Sequence, residues 1–232
     1  MVKPALKKTK RTTHHPEQEQ DAPDRFCAYE VSRLTRSRKN VRHMLHQRGW
    51  DTKPPSTFES SLATAYIYLN AFRHNSDAER CMTLAARQLS GKRCRTFWCF
   101  DEKVGVRTIR AIAATCVDRG VGLAILVAVG AVTSFAAKEI IKSPCGVRFE
   151  TFRIEETLFD PTSSSLVPHH RIMTATQKEE TLERLRTTSS RLPRISLLDP
   201  IARYYGAAKG DVFEIHREHP DGHVQISYRA VD

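Results

Sequence analysis

Apolar residues recur along this chain with two periods, and the switches between them outline its elements. Phe26, Val31, Leu34, Val41 and Leu45 keep the spacing of a helix that starts near Asp24 and stops at Gly49. Pro54 and Pro55 break the chain. Ser56 and Glu59 then have capping-box spacing, and Phe58, Leu62, Ala65, Tyr66, Leu69 and Phe72 give a second amphipathic helix. A polar link at 74–77 precedes a short helix through Cys81 to Leu89. After it the pattern alternates. Residues 95–100 are aromatic and strand-like. Val106, Ile109, Ile112, Ala113 and Val117 are helix-spaced, with Gly120 as the stop. Residues 121–129 form an apolar run expected of a strand covered on both faces. Residues 131–142 read as a helix capped near Thr133, and 147–154 as a half-buried strand. The order is βαβαβ, which predicts a mostly parallel three-stranded sheet with right-handed crossovers and the early helices packed on it.

Asp160-Pro161 and the serines up to Ser165 shift the composition, and the spacing places a domain boundary near them. Residues 166–170 are extended. Thr174 or Thr176 caps a helix running to about Arg186. The stretch 192–212 is dense in punctuation. Pro193 biases Leu192 towards extended backbone. Asp199 and Pro200 start a helix, Gly206 stops it, and Lys209-Gly210-Asp211 turn into a strand. Residues 212–217 and 224–229 flank Asp221-Gly222 and predict a closing hairpin. The fold class is therefore α/β: a three-layer-like βαβαβ unit with packed helices, then a small mixed α/β unit ending in a hairpin.

Charge adds a partner class. The chain holds 37 Lys and Arg against 26 Asp and Glu, a formal net charge of +11. That balance favours a polyanion nearby. Residues 1–23 are polar and carry the basic cluster Lys7-Lys8-Thr9-Lys10-Arg11, which predicts a disordered basic tail. The first helix bears Arg33, Arg36, Arg38, Lys39, Arg42 and Arg48, and positions 31–50 contain no acidic residue. This is either a solvated face or one that meets phosphate. The uncharged run 121–137 falls short of the roughly 20 apolar residues of a membrane span, and Gly130, Thr133 and Ser134 interrupt it. The six cysteines form no CxxC pair. They are expected to be free thiols in a reducing compartment.

Candidate chemistry is sparse. The adjacent pairs His14-His15 and His169-His170 do not suit one ion, and no cysteine or histidine spacing matches a zinc site. Asp101-Glu102-Lys103 at a strand end is the remaining catalytic candidate. In metal-dependent nucleases such carboxylates hold Mg²⁺ and a lysine supports the attacking water. That pattern needs an acidic residue upstream, and Asp77 and Glu79 fall in the polar link. A solvated loop is the plainer reading. Phosphate loops and nucleophile motifs are absent.

Several motifs together resemble one family. Leu192-Pro193-Arg194-Ile195, Asp199-Pro200 with Ala202, Tyr204 and Gly206, and Lys209-Gly210 with Val212 are similar to the C-terminal signature of the small subunit shared by eukaryotic RNA polymerases I, II and III, which has a shorter counterpart in the archaeal enzyme. Phe100-Asp101-Glu102-Lys103-Val104-Gly105-Val106-Arg107-Thr108, Leu166-Val167-Pro168-His169-His170, residues 176–185 and Ser227-Tyr228-Arg229 resemble further family segments in the same order. The loop 218–223 departs from the family's pattern.

The resemblance implies a non-catalytic polymerase subunit without cofactor, metal, membrane or small-molecule substrate. It implies an N-terminal jaw (24–160) along the path of downstream DNA, and a C-terminal assembly domain (161–232) docking on the largest polymerase subunit beside neighbouring small subunits. Expected partner-binding residues are Leu166, Val167, Pro168, His169, Pro193, Arg194, Asp199, Pro200, Arg203, Tyr204, Gly206, Lys209, Gly210, Tyr228 and Arg229. Arg33, Arg36, Lys39, Arg42 and Arg107 are expected near DNA. A nuclear location follows, nucleolar for a divergent basic paralogue confined to polymerase I. A Mg²⁺-dependent nuclease and a free nucleic-acid-binding protein are the alternative readings.

Overall fold

The computed structural model describes residues 26–53, 61–71, 75–142, 144–219 and 221–232. The predicted tail, the Ser56 and Glu59 capping box and Phe72 lie outside these residues. The chain opens with helix α1 (Ala28–Gln47), strand β1 (Asp51–Thr52) and helices α2 (Leu62–Asn70) and α3 (Asn75–Met82). Strands β2 (Leu84–Arg87), β3 (Arg93–Cys99) and β4 (Lys103–Val104) follow, then α4 (Val106–Asp118), β5 (Leu123–Ala128), β6 (Ala131–Val132), α5 (Ser134–Ile141) and β7 (Arg148–Arg153). The remaining elements are β8 (His169–Ile172), α6 (Ala175–Arg184), β9 (Arg194–Ile195), α7 (Pro200–Tyr205), β10 (Val212–Glu218) and β11 (Val224–Val231).

The larger sheet has the order β1-β2-β3-β5-β7. Its β3, β5 and β7 are parallel, as the βαβαβ pattern predicts. Strand β5 shows why this sheet needs helices on both faces. Ile125 and Val127 join the core under α1, with Leu34, Leu45, Trp98 and Phe152. Ala124, Leu126 and Ala128 join the opposite core, with Ile109, Ile112 and Cys116 of α4. A buried chain of polar groups ties α1 to the sheet: Trp98 Nε1–H donates to Ser37 Oγ at 3.1 Å, and Ser37 Oγ meets Thr157 Oγ1 at 2.7 Å.

Two differences from the sequence reading have physical causes. The helix expected through Leu89 ends at Met82, and residues 84–87 form β2, antiparallel to β3. Leu, Ala and Arg are good helix formers, but Leu84 and Ala86 gain burial by extending the sheet. The helix pattern of 131–142 begins only at Ser134, after the cap expected near Thr133, whose Oγ1 accepts from Ala136 N–H at 3.3 Å. Residues 131–132 pair with 103–104 instead. Gly130 permits this approach: a Cβ there would lie 2.3 Å from the carbonyl oxygens of Asp101 and Glu102. No helix among the described residues is long and apolar enough to cross a membrane.

The smaller sheet has the order β8-β10-β11-β9. Strands β10 and β11 form the predicted hairpin, and β9 adds in parallel to β11. Phe213, Ile215, Ile195 and Val231 fill its core. Thr174 caps α6 by accepting from Gln177 N–H at 3.3 Å.

Candidate functional site

Helix α7 forms as its residues dictate. Asp199 Oδ1 accepts from Ile201 N–H at 2.8 Å, Pro200 occupies the first turn, and Gly206 closes the helix in the left-handed conformation at φ +67°. The environment of this helix departs from the expected outward-facing surface. It packs against α1 and β7. Tyr204 is 6% exposed and belongs to the core beneath α1.

Arg48, just past α1, makes the junction. Its Nε–H donates to the Tyr204 carbonyl at 2.7 Å and its Nη2–H to the Arg203 carbonyl at 2.6 Å. Its Nη1 pairs with Glu150 of β7 at 2.7 Å. The guanidinium thus caps the end of α7 from another part of the chain, and its side chain is only 4% exposed. Gly206 is required twice. Its φ favours glycine, and a Cβ would lie 2.9 Å from Arg48 Nη1. Arg203 reaches the other way. It pairs with Glu156, donates to the Thr151 carbonyl at 2.6 Å and covers the Phe152 ring at 4.9 Å. Burial alone would raise the Glu156 carboxyl. The hydrogen bonds from Arg203 and from Arg153 N–H, with the charges of both arginines, hold it below the usual range instead. Beside these contacts lies an apolar cleft of about 280 Å³ lined by Val41, Met44, Phe152, Phe159, Pro200 and Tyr204.

The other expected partner-binding residues lie around the smaller sheet. Leu166 is 91% exposed, and His169 is exposed on the edge strand β8. Val167 and Pro168 are half-buried, with the Pro168 carbonyl accepting from His170 Nδ1–H at 2.6 Å. At the opposite edge, Pro193 and Arg194 are exposed. Arg194 and Lys209 pair with Asp232 at 3.1 and 3.2 Å. Gly210 turns at φ +90°, Tyr228 accepts from Arg184 at 2.9 Å, and Arg229 is exposed. The structure therefore separates this residue set. Asp199, Pro200, Arg203, Tyr204 and Gly206 serve the chain's own junction, and the rest line the outer faces.

The basic face expected on α1 is corrected in a similar way. Arg36 and Lys39 are exposed, as is Arg107 on α4. Arg33 pairs with Glu155 at 2.8 Å. Arg38 and Arg42 are buried: Arg38 Nε–H donates to the Met82 carbonyl at 2.9 Å, and Arg42 donates to the Lys53 carbonyl. Burial, then the charge of Arg42, lowers Arg38 to about 10. Neither is a solvated or phosphate-facing cation.

At the strand end, Glu79 Oε1 accepts from Phe100 N–H at 3.2 Å, so an upstream acid does reach the Asp101 region. The described residues contain no group of three or more His, Cys, Asp or Glu side chains placed to hold a metal ion. Cys94 and Cys99 are buried, which pushes both thiols up to about 12, and burial raises Cys116 to about 11. These are packing groups, not nucleophiles.

Comparison with known proteins follows the same lines. Residues 159–231 match the family described as RNA polymerase Rpb5, C-terminal domain. The chain is 31% identical over 208 residues to the subunit RPABC1 of DNA-directed RNA polymerases I, II and III from Caenorhabditis briggsae, covering 87% of this chain and 97% of that one. The Caenorhabditis elegans protein of the same name is 32% identical over 205 residues, with the same coverage. Subunit 5B of DNA-directed RNA polymerases IV and V from Arabidopsis thaliana is 27% identical over 198 residues, covering 84% and 88%. Similarity of 31–32% along 97% of the length of two of these relatives, with the family match over residues 159–231, leads to one conclusion: the chain belongs to the Rpb5 family, the non-catalytic small subunit of DNA-directed RNA polymerases.

Proposed function

We propose that the chain assembles into a nuclear RNA polymerase through residues 161–232, which dock on the largest subunit beside other small subunits, and that residues 24–160 form a jaw beside downstream DNA. The observation that carries this reading is the near-complete alignment with shared polymerase subunits, at 97% of their length. The outer faces of the smaller sheet support it. Leu166, His169, Pro193, Arg194 and Arg229 are exposed on a frame whose backbone is fixed by β8, β9 and the hairpin. Within this reading Val167, Pro168, Lys209, Gly210 and Tyr228 shape the same faces. Asp199, Pro200, Arg203, Tyr204 and Gly206 act indirectly, by holding α7 between the two sheets. On the jaw side Arg36, Lys39 and Arg107 remain free to meet DNA phosphates, with Arg33 already engaged by Glu155.

Affinity capture of the tagged full chain from nuclear extract, read by mass spectrometry, tests this. Recovery of the largest subunits of nuclear polymerases is the expected result. The double variant Leu166→Asp, His169→Glu should lower that recovery at least ~10-fold at an unchanged thermal midpoint, since exposed substitutions usually shift stability little. Undiminished recovery would place the interface elsewhere. The share of the chain in each purified polymerase decides whether it is common to all or confined to one, with nucleolar enrichment expected only for confinement to polymerase I.

A further inference from the structure

On the α4 side of the larger sheet, the end formed by β1, β2 and the start of β3 is left open, with Ala85, Arg87 and Arg93 exposed. In β3, Arg93 and Arg95 point to the α4 side, with Phe97 next in the alternation under that core. The antiparallel extension β1-β2 continues the face past the flank of α4. There Arg87 stands directly opposite Arg93 and Ala85 opposite Arg95, and Asp51 lies opposite Arg87. Together with Lys53 and Arg119 these residues line an open groove of about 780 Å³. Asp51 is its acidic residue, against Lys53, Arg87, Arg93, Arg95 and Arg119.

This arrangement is costly for the chain alone. Like charges directly opposite across strands repel. Among the described residues none of the four arginines has a carboxylate partner. Arg93 Nη1–H donates to the Arg119 carbonyl at 2.9 Å, and Arg95 lies over the Phe97 ring at 5.7 Å. Burial, then the charge of Arg119, lowers the affinity of Arg95 for its proton. A bound anion would relieve all of these. Its class follows from what the groove lacks. The apolar lining is Ala85, Ala86, Cys94 and Val121, so no large side-chain pocket is offered to anchor a peptide. What it offers is planar guanidinium donors, which match phosphate oxygens. From β1 to β3 the face crosses two strand spacings, about 10 Å, the axial rise over which one strand of duplex DNA carries roughly three phosphates.

We infer that this groove is a sequence-independent binding track for the sugar-phosphate backbone of a nucleic acid. It lies on the opposite face of the sheet from α1, where Arg36 and Lys39 stand.

Fluorescence anisotropy on the full chain tests the track, using a labelled mixed-sequence 20-base-pair DNA duplex and a 20-nucleotide RNA from about 50 to 200 mM salt. The triple variant Arg87→Gln, Arg93→Gln, Arg119→Gln should weaken binding at least ~10-fold and flatten the log K against log salt slope by about two to three, at roughly 0.7–0.9 per phosphate contact. Its thermal midpoint should stay level or rise, because the cross-strand repulsion is gone. Removing the same charge elsewhere, by Lys138→Gln, Lys142→Gln and Arg191→Gln, should change binding less than ~3-fold. Tight binding of either probe supports the track, and the tighter of the two identifies the strand type. Failure of the unaltered chain to bind either, equal losses in both triple variants, or competition by polyglutamate as strong as by DNA would each overturn it. These outcomes are separate from polymerase capture, which reads assembly.

Discussion

Arg48, Arg203, Glu150 and Glu156 show how much of this molecule depends on where a charge ends up. Arg38 and Arg42 carry the same lesson. Both lie in the stripe 31, 34, 35, 38, 41, 42, 45 that α1 buries, so their spacing was a signal of burial that residue type alone concealed. Arg48 gave no such signal, because its acceptors are backbone carbonyls over 150 residues away. One prediction belongs to this scale. The Glu156 carboxyl is held below its ordinary value of 4.5, so its contribution to stability is complete above that range and is lost as pH falls through the depressed value. Urea unfolding of the native chain and of Glu156→Gln should therefore differ most near pH 7 and converge as pH falls below about 4.5. A gap that stays constant to pH 3 would show that the carboxylate is not the source.

At the scale of elements, the legible parts were those where one period dominates. β5 is apolar on both faces, α4 and α5 keep helical spacing, and Asp-Gly marked the hairpin. The limits of α7 were legible too, because Asp199, Pro200 and Gly206 each impose a backbone geometry. Strands β1 and β2 were not, since four residues of good helix formers and a two-residue strand become extended only when β3 offers an edge. The side of α7 that faces inward was equally hidden, because six residues are too few for a period. Helix α7 still depends on its cap. Asp199→Ala should cost about 1 kcal/mol, within the usual 0.5–2 range, in denaturant unfolding. Asp199→Asn or Ser should restore most of it.

Across the whole molecule, two sheets with separate cores meet at α7. Arg48→Met would remove the cap of α7 and leave Glu150, 13% exposed, without that partner. Arg148 stays 3.3 Å from that carboxylate, so the loss should fall below the roughly 3–5 kcal/mol of a buried charge left with no partner. Unfolding followed by far-ultraviolet circular dichroism should then change from one transition to two, as the sheets lose their coupling. A single transition in the variant would show that the sheets cooperate by another route. The same junction has a consequence in time. Arg48 is synthesised early, whereas the carbonyl groups it caps belong to residues 155 and 156 positions later. At about 5–20 residues per second, a ribosome takes roughly 8–30 s to supply them. During that interval the growing chain holds Met44 and Val41 without the Tyr204 ring that later joins their core. The nascent chain, rather than the finished protein, is the form most open to proteases and chaperones, and its exposure ends when α7 clears the exit tunnel.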